Sequence, residues 1–192
     1  IWEGMALRLF RSGYTGEDGF EVSISKPDVR KFVEILLNDQ DVALVGLGAR
    51  DALRLEAGLC LYGQDLSKDV TPVEASLSWV ISKRRREEGN FPGFKIIKEQ
   101  LVNGIKKCRV GISPFGKAPA RAGCEIFVDG GRKIGSITSG GYSPTLERPI
   151  AMGYVEEVFS KIGTEVLLSV RGKYLPAKIV NLPFVSPKYF RK

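Results

Sequence analysis

Apolar and polar residues alternate in two short stretches near the start of the chain, and this pattern predicts a β-hairpin. Residues 5–11 form the first predicted strand, and residues 20–24 form the second, with its apolar side chains on one face. Residues 12–19 contain three glycines and predict the long loop that joins the two strands. Glu21 alternates onto the face of the second strand that is opposite its apolar residues.

A helical pattern follows the hairpin. Ser25 is a suitable capping residue, and apolar residues then recur at intervals of three and four, which predicts a helix that covers one face of the sheet. These residues are Val29, Phe32, Val33, Leu36 and Leu37. Val42–Leu47 predicts a short buried strand that leads into a second helix over residues 49–57. The order strand, strand, helix, strand, helix predicts an α+β fold.

The second predicted helix carries more charge than a buried helix usually holds. Arg50 and Arg54 lie four residues apart and share one face, whereas Asp51 and Glu56 lie off that face. Two arginines on one side of a short, nearly buried helix need an anion or a carboxylate to neutralise them. The pattern fits an internal salt-bridge cluster as well as a ligand site and does not decide between them.

The rest of the chain divides into a polar junction and a region of short strands. Thr71–Glu74 has capping-box spacing and predicts a short helix, Lys83–Glu88 is a charge run, and residues 91–104 predict a linker helix. Six β segments with turn residues between them then predict a compact antiparallel barrel or sandwich. They span residues 108–113, 124–128, 133–138, 150–156, 164–171 and 174–180. The predicted domains are a partial α+β region over residues 1–90, the linker helix, and a small antiparallel β-barrel domain over residues 105–192.

Composition restricts the available chemistry. None of the 192 residues is histidine, and the three cysteines have no C-x-x-C spacing. The lack of histidine excludes Ser-His-Asp and Cys-His nucleophile systems and the usual zinc sites, so we expect no metal. Any acid–base chemistry must use carboxylates, lysine or tyrosine. No apolar run is long enough to cross a bilayer and the start of the chain has no signal-peptide pattern, so we expect no membrane partner.

The net charge of +7 is unevenly distributed along the chain. It is −5 over residues 1–82, +6 over residues 83–109 and +6 over residues 110–192. A basic second half suits an acidic protein, an anionic small molecule or nucleic acid. A nucleic-acid-binding β module is therefore one alternative. We nevertheless expect no nucleic acid partner, because the acidic first half would repel a phosphate backbone and no aromatic-rich strand repeats.

Several stretches, taken together and in order, resemble one enzyme family. They are residues 12–21 (SGYTGEDGFE), 48–51 (GARD), 61–63 (LYG), 71–74 (TPVE), 118–121 (APAR), 134–140 (IGSITSG), 143–144 (SP) and 151–155 (AMGYV). They resemble the aminomethyltransferase of the glycine cleavage system, its T-protein. The runner-up relatives are folate-dependent demethylases and the folate domains of dimethylglycine or sarcosine oxidising enzymes. A folate-binding iron–sulfur assembly factor is more remote, because Leu61–Gln64 lacks the Lys-Gly-Cys that begins its signature.

The resemblance implies a folate enzyme with three domains, the last of them an antiparallel β domain. Members take an aminomethyl group from the lipoyl arm of the H-protein, give 5,10-methylenetetrahydrofolate from tetrahydrofolate, and release ammonia. The family's catalytic aspartate lies in an earlier part of the enzyme. That part has no counterpart in this chain, so the catalytic residue is unknown here. The resemblance therefore implies a fragment that is inactive alone, in the cytoplasm if bacterial and the mitochondrial matrix if eukaryotic.

Three residues match folate-binding positions of the family. Glu21 matches the glutamate that reads the pterin, since a carboxylate can accept two adjacent donors; the alternative is a cross-strand pair with lysine or arginine. Arg50 matches an arginine that contacts the ligand, and the alternative is a structural ion pair. Tyr189 matches a tyrosine on the C-terminal tail that reaches the folate, and the alternative is an aromatic tail that docks on its own domain.

Further residues are candidates for the same pocket. Tyr14 and Trp79 would form its wall, although Trp79 fits a core position equally well. Arg54 either extends the anion-facing side of Arg50 or pairs with Glu56, and we favour the structural role. The run Lys83–Arg86 would suit an acidic carrier protein or the glutamate tail of folate, but most such runs are simply solvated.

Overall fold

Residues 1–190, which the computed structural model describes, contain eight β-strands and four α-helices. The strands are β1 (Leu7–Phe10), β2 (Glu21–Ile24), β3 (Lys107–Pro114), β4 (Glu125–Phe127), β5 (Lys133–Ser143), β6 (Arg148–Glu156), β7 (Glu165–Val170) and β8 (Lys173–Val180). The helices are α1 (Val29–Leu37), α2 (Leu47–Glu56), α3 (Lys83–Glu88) and α4 (Phe94–Asn103). Short 3₁₀ turns span Lys26–Asp28, Ser78–Val80 and Glu157–Phe159. Within these residues no helix combines the length and hydropathy that a membrane span requires.

The first two strands form the predicted hairpin. β1 and β2 pair in antiparallel register, with Leu9 opposite Val22 and Phe10 opposite Glu21. They form a sheet of two strands only. The Cα register places Leu9 and Val22 on one face because directly opposite residues in an antiparallel pair project to the same side. The loop predicted over residues 12–19 connects them, and its conformation positions most of the candidate site.

Two expectations for the next segment are wrong. α1 forms where the apolar stripe predicted it, but the stripe is not buried against a sheet, since none of the α1 residues is fully buried. The strand predicted over Val42–Leu47 does not form: residues 42–46 have no regular structure, and Leu47 is the first residue of α2. A strand needs a neighbour to accept its backbone hydrogen bonds, and no strand of residues 1–190 lies beside this segment.

The capping box at residue 71 forms without the helix that it predicted. The Thr71 amide donates to the Glu74 carboxylate at 3.0 Å, and the Glu74 amide donates to the Thr71 Oγ1 at 3.2 Å. Residues 72–76 then make only turns, because Ser76 adopts a left-handed φ of 57° that stops helical continuation. A helix forms within the predicted range 91–104 as α4, which buries Ile97.

The six later strands close into a barrel in the order β3-β6-β5-β4-β7-β8, which decides between the barrel and the sandwich that the sequence left open. Alternate side chains from every strand fill its interior. The fully buried members include Ile112, Ile126, Ala151, Leu168 and Ile179. Gly135 and Gly140 permit the closest approaches, since a Cβ atom at either position would lie 1.9 Å from a backbone carbonyl oxygen, that of Tyr154 or of Ala120.

α2 connects the hairpin region to the barrel. Its Leu55 is 2% exposed and packs with Ile150 and Met152 of β6. The backbone carbonyl of Glu56, at the end of α2, accepts hydrogen bonds from the amides of Phe184 and Val185, each at 3.0 Å. The helix therefore holds both the outer wall of the barrel and the C-terminal tail. This arrangement brings residues from opposite ends of the chain to one place.

Candidate functional site

The loop between β1 and β2 lies directly against α2. Gly16 has a left-handed φ of 78°, and a Cβ atom at this position would lie 2.8 Å from the Cβ of Ala57. The glycine is therefore required both by backbone conformation and by space. Beside it, the Tyr14 hydroxyl donates to the backbone carbonyl of Cys60, which fixes the direction of the phenol ring.

Tyr14 supports Arg50. The guanidinium carbon of Arg50 lies 4.9 Å from the centre of the Tyr14 ring, within cation–π distance. No aspartate or glutamate of residues 1–190 forms a salt bridge with Arg50, so the structural ion pair considered from the sequence is not found there. Burial raises the pKa of the Tyr14 hydroxyl above its ordinary value, which further favours the neutral phenol that donates the hydrogen bond to Cys60.

Glu21 begins β2 at the same end of the hairpin. Its Oε2 accepts a hydrogen bond from the Ser12 hydroxyl at 2.6 Å, and its side chain is exposed. No lysine or arginine within the described chain forms a salt bridge with it, so the cross-strand ion pair is also not found. A carboxylate with only one hydrogen bond retains acceptor capacity for a ligand.

The C-terminal tail runs along the loop and carries Tyr189. The Lys188 amide donates to the Gly16 carbonyl at 2.8 Å, and the Lys188 ammonium lies 3.5 Å from the Glu17 carboxylate. On the other side of Tyr189, the guanidinium of Arg11 stacks 5.0 Å from the Phe190 ring centre. Tyr189 is thus held between two anchored neighbours while its side chain remains 40% exposed.

Arg11 is itself fixed by an acidic partner in the loop. Its Nε and Nη2 donate to the two carboxylate oxygens of Asp18 at 3.2 and 2.9 Å. These hydrogen bonds hold the pKa of the Asp18 carboxyl below its ordinary value. Four predicted site residues therefore lie on the loop between β1 and β2 or on segments next to it: Tyr14, Glu21, Arg50 and Tyr189.

Trp79 lies elsewhere. It lines a cavity of about 520 Å³ between the end of α2 and the barrel, together with Arg109 and Leu182. Its side chain is 75% exposed, so the core position considered from the sequence is wrong. Residues 83–86 lie on α3, where Lys83 and Arg84 face Glu87 and Glu88 one turn later at 3.9 and 2.6 Å. This run is solvated.

Arg54 has the structural role that the sequence favoured, but its partner is not Glu56. Its guanidinium is 2% exposed and donates to Asp65 and to Ser139 of β5, each at 2.9 Å, and it also contacts Asp51. Glu56 instead accepts hydrogen bonds from the barrel residues Ser143 and Thr145. Sequence reasoning missed Asp65 and Ser139, because their separation from Arg54 follows no local spacing.

This arrangement suits a planar polar ligand. An exposed carboxylate at Glu21 can accept two adjacent N–H donors, and the Arg50 guanidinium can donate to a carbonyl or carboxylate oxygen. Tyr14 supplies aromatic surface beside Arg50, and Tyr189 is an exposed aromatic residue on the tail that runs along the same loop. Among the described residues, no group of three or more cysteine, aspartate or glutamate side chains is placed to hold a metal ion.

Comparisons with known proteins identify the family of the chain. The family profile described as the GCVT N-terminal domain matches residues 1–85, and that of the glycine cleavage T-protein C-terminal barrel domain matches residues 107–186. The chain is 51% identical over 194 residues to a mitochondrial aminomethyltransferase of Dictyostelium discoideum, covering 97% of this chain and 48% of that protein. It is 48% identical to the mitochondrial aminomethyltransferase of Pisum sativum, covering 98% of this chain and 46% of that protein.

A solved structure matches the fold closely. The crystal structure of the glycine cleavage system aminomethyltransferase T from Bartonella henselae superposes with a TM-score of 0.93 at 46% identity. The match covers 96% of this chain and 51% of that one. The chain therefore spans about half the length of the relatives that it matches.

Proposed function

Because the chain belongs to the glycine cleavage T-protein family, we propose that it forms the tetrahydrofolate-binding part of an aminomethyltransferase. The proposed reaction moves an aminomethyl group from the lipoyl arm of the H-protein to tetrahydrofolate, giving 5,10-methylenetetrahydrofolate and ammonia. The compartment would be the cytoplasm in a bacterium and the mitochondrial matrix in a eukaryote. The named relatives are aminomethyltransferases, and this favours the reaction over the demethylases and the dimethylglycine or sarcosine enzymes.

The observation that carries the proposal is that Arg50 stacks on Tyr14 of the loop whose Ser12 donates a hydrogen bond to Glu21 at the start of β2. Among the described residues neither Arg50 nor Glu21 has an oppositely charged partner, although each lies beside residues that orient it. Charged groups that are positioned but not neutralised favour an external partner. A pterin offers adjacent donors to a carboxylate and an oxygen to a guanidinium. Tyr189 would close the same site from the tail.

Calorimetric titration with tetrahydrofolate tests the site. We expect Glu21→Gln to weaken binding about tenfold to a hundredfold, because hydrogen bonds to a charged group contribute about 1.5–3 kcal/mol. Glu165→Gln, an exposed carboxylate on β7, is the matched control and should bind as the unsubstituted chain does. The titration is run on this chain alone and on this chain co-purified with the half of the Dictyostelium enzyme outside the match. Equal affinity of the Glu21→Gln and control variants in both preparations would refute the role of Glu21.

The domain division bears on the activity expected of this chain alone. We propose the partial α+β region over residues 1–90, the linker helix over 91–104 and the barrel domain over 105–192 as the functional units. The family's catalytic aspartate belongs to a region that the resemblance does not place in this chain. We therefore expect no formation of methylenetetrahydrofolate by the 192-residue chain alone, and turnover above the enzyme-free rate would contradict this assignment.

The basic helix α3 is the proposed contact for the lipoylated H-protein. Its four consecutive basic residues, Lys83–Arg86, are exposed and suit an acidic carrier. We expect Arg86→Glu to weaken H-protein binding several-fold at low salt and much less at high salt, because exposed charges are screened. Lys173→Glu, at the start of β8, is the matched control. Equal effects of the two substitutions in a surface-binding assay across a salt series would exclude a specific role for α3.

A further inference from the structure

Ser12 lies where the hairpin loop leaves β1, and its hydroxyl returns to the second strand. Phe10, the last residue of β1, pairs directly with Glu21, the first residue of β2. The Ser12 amide donates to the Phe10 carbonyl at 3.0 Å, which closes a three-residue turn. The Ser12 hydroxyl then donates to the Oε2 of Glu21 at 2.6 Å. This contact joins the two ends of the loop between β1 and β2.

The donor that Ser12 offers to Glu21 is uncharged, so it orients the carboxylate without neutralising it. Within residues 1–190, no lysine or arginine forms a salt bridge with Glu21. Arg11, which directly precedes Ser12, donates instead through Nε and Nη2 to the two carboxylate oxygens of Asp18 at 3.2 and 2.9 Å. The cation next to Ser12 in sequence is therefore bound elsewhere, and Ser12 alone holds the Glu21 carboxylate among the described side chains.

The remaining acceptor sites of Glu21 suit a pair of neighbouring donors. An ionised carboxylate has about four lone-pair sites, and the Ser12 hydroxyl occupies one of them, so both oxygens keep acceptor capacity. A planar group with two adjacent N–H donors can then bind both oxygens side by side, provided that the plane of the carboxylate matches it. The terminal torsion of a glutamate side chain has broad minima, so rotamer preference alone does not set this plane. The hydrogen bond from Ser12 restricts the rotation.

We propose that Ser12 is a positioning residue, which sets the plane of the Glu21 carboxylate and thereby selects ligands with two adjacent N–H donors. The inference rests on the proposed function, in which Glu21 accepts the amino group and the ring N–H of a pterin. Ser12 itself touches no ligand and acts only through Glu21. Because the carboxylate is oriented before binding, less conformational entropy is lost when the ligand binds. A ligand that lacks one of the two donors leaves an acceptor unpaired and gains less from this orientation.

Calorimetric titration with two ligands tests this role, in the same two preparations that test the binding of tetrahydrofolate. The probes are tetrahydrofolate and its 2-desamino analogue, in which a hydrogen atom replaces the amino group of the pterin. We expect Ser12→Val to weaken tetrahydrofolate binding about threefold to tenfold, which is the net effect of one hydrogen bond, and to weaken binding of the analogue less than about twofold. Ser12→Thr has the shape of Ser12→Val but keeps the hydroxyl, so it should bind both ligands as the unsubstituted chain does.

Two controls separate positioning of Glu21 from a general effect on the hairpin. Ser25→Ala removes another hydroxyl–carboxylate hydrogen bond at the surface, from Ser25 to Asp28 at 2.5 Å, and should change both affinities less than about twofold. In the Glu21→Ala background, Ser12→Val should have no further effect on tetrahydrofolate binding, because no carboxylate remains for Ser12 to orient. Ser12 is exposed, so Ser12→Thr and Ser12→Val should unfold at the same urea concentration.

The outcomes distinguish failure of this inference from failure of the proposed function. If neither preparation binds tetrahydrofolate, or if Glu21→Ala binds it as well as the unsubstituted chain does, the proposed function fails and the role of Ser12 fails with it. If Glu21→Ala weakens binding but Ser12→Val and Ser12→Thr bind equally, only the role of Ser12 is overturned. An equal loss for the two ligands, or the same loss in the Glu21→Ala background, would instead assign Ser12 to the stability of the loop.

Discussion

Arg54 and Asp65 form a buried ion pair, with the guanidinium Nη1 2.9 Å from the carboxylate Oδ2 and both side chains at most 2% exposed. The Ser139 hydroxyl of β5 donates to the same carboxylate oxygen at 2.8 Å. The pair therefore ties α2, the turn after it and the barrel into one network. Because α2 also carries Arg50, the position of the candidate site depends on this buried contact.

Substitution of Arg54 should lower the stability of the folded chain. We expect Arg54→Met to lower the free energy of unfolding by about 3–5 kcal/mol, because it leaves the Asp65 carboxylate buried without its counter-charge. Arg30→Ala removes an exposed pair with Glu34 and should change stability by less than about 0.5 kcal/mol. Urea unfolding curves measure both. A loss below about 1 kcal/mol for Arg54→Met would contradict the structural role.

Glu56 links the same helix to the barrel through hydrogen bonds that its carboxylate accepts from uncharged donors. We expect Glu56→Ala to lower the free energy of unfolding by about 2–3 kcal/mol, since the Ser143 hydroxyl and the Thr145 amide lose their acceptor. Glu56→Gln keeps an acceptor oxygen and should lose less than half as much. Thermal unfolding of the two variants provides the comparison, and equal losses would show that the carboxylate charge, not the hydrogen bonds, matters.

Gly16 sets the contact between the loop and α2. We expect Gly16→Ala to cost about 2–3 kcal/mol, because it adds left-handed strain and a clash with the Cβ of Ala57. Gly13→Ala lies in the same loop, where the nearest atom to an added Cβ is 3.9 Å away, and it should cost much less. Exchange of the Lys188 amide, which donates to Gly16, would report the local effect. Equal protection in the two variants would argue against a special requirement at Gly16.

The end of the tail should be released by acid. The Arg11 guanidinium lowers the pKa of the Asp18 carboxyl, so the stabilisation is present above the ordinary value of about 4 and is lost as pH falls through the lowered folded-state pKa. The Phe190 amide also hydrogen-bonds this carboxyl, so we expect its protection factor, the intrinsic exchange rate divided by the observed rate at each pH, to fall in that range. Asp18→Asn lacks the titrating group and should show fast exchange without this pH dependence. The same acid midpoint in the Asn variant would assign the transition to another carboxyl.

Local pattern predicted the elements whose partners lie near in sequence. Alternation identified the hairpin and the six barrel segments, and the stripe of α1 located that helix, because these periods reflect one side chain every 180° or 100° of backbone rotation. The prediction from local pattern failed for two elements. Val42–Leu47 has the composition of a strand but no neighbouring strand within residues 1–190, and the helix expected at Thr71 is stopped by the conformation of Ser76.

In the candidate site, too, local motifs predicted individual residues, whereas tertiary contacts decided their partners. Motifs in the sequence identified Glu21, Arg50, Tyr14 and Tyr189, and the structure attaches all four to one loop by contacts between residues as far apart as Gly16 and Lys188. Their binding role stays a prediction. No spacing rule could have paired Arg54 with Asp65 and Ser139 or moved Trp79 to a separate cavity.

The sequence by itself indicated the family through the resemblance of its motifs. It also predicted the α+β class and the residue types available for chemistry, because these two depend on short-range periodicity and on composition. Only the tertiary structure decided that the six strands close into a barrel, that Arg54 is neutralised by Asp65, and that Arg50 forms no salt bridge within residues 1–190. The reason is physical: pairing of charges and closure of a sheet depend on distances between residues that the chain separates widely, and packing alone sets those distances.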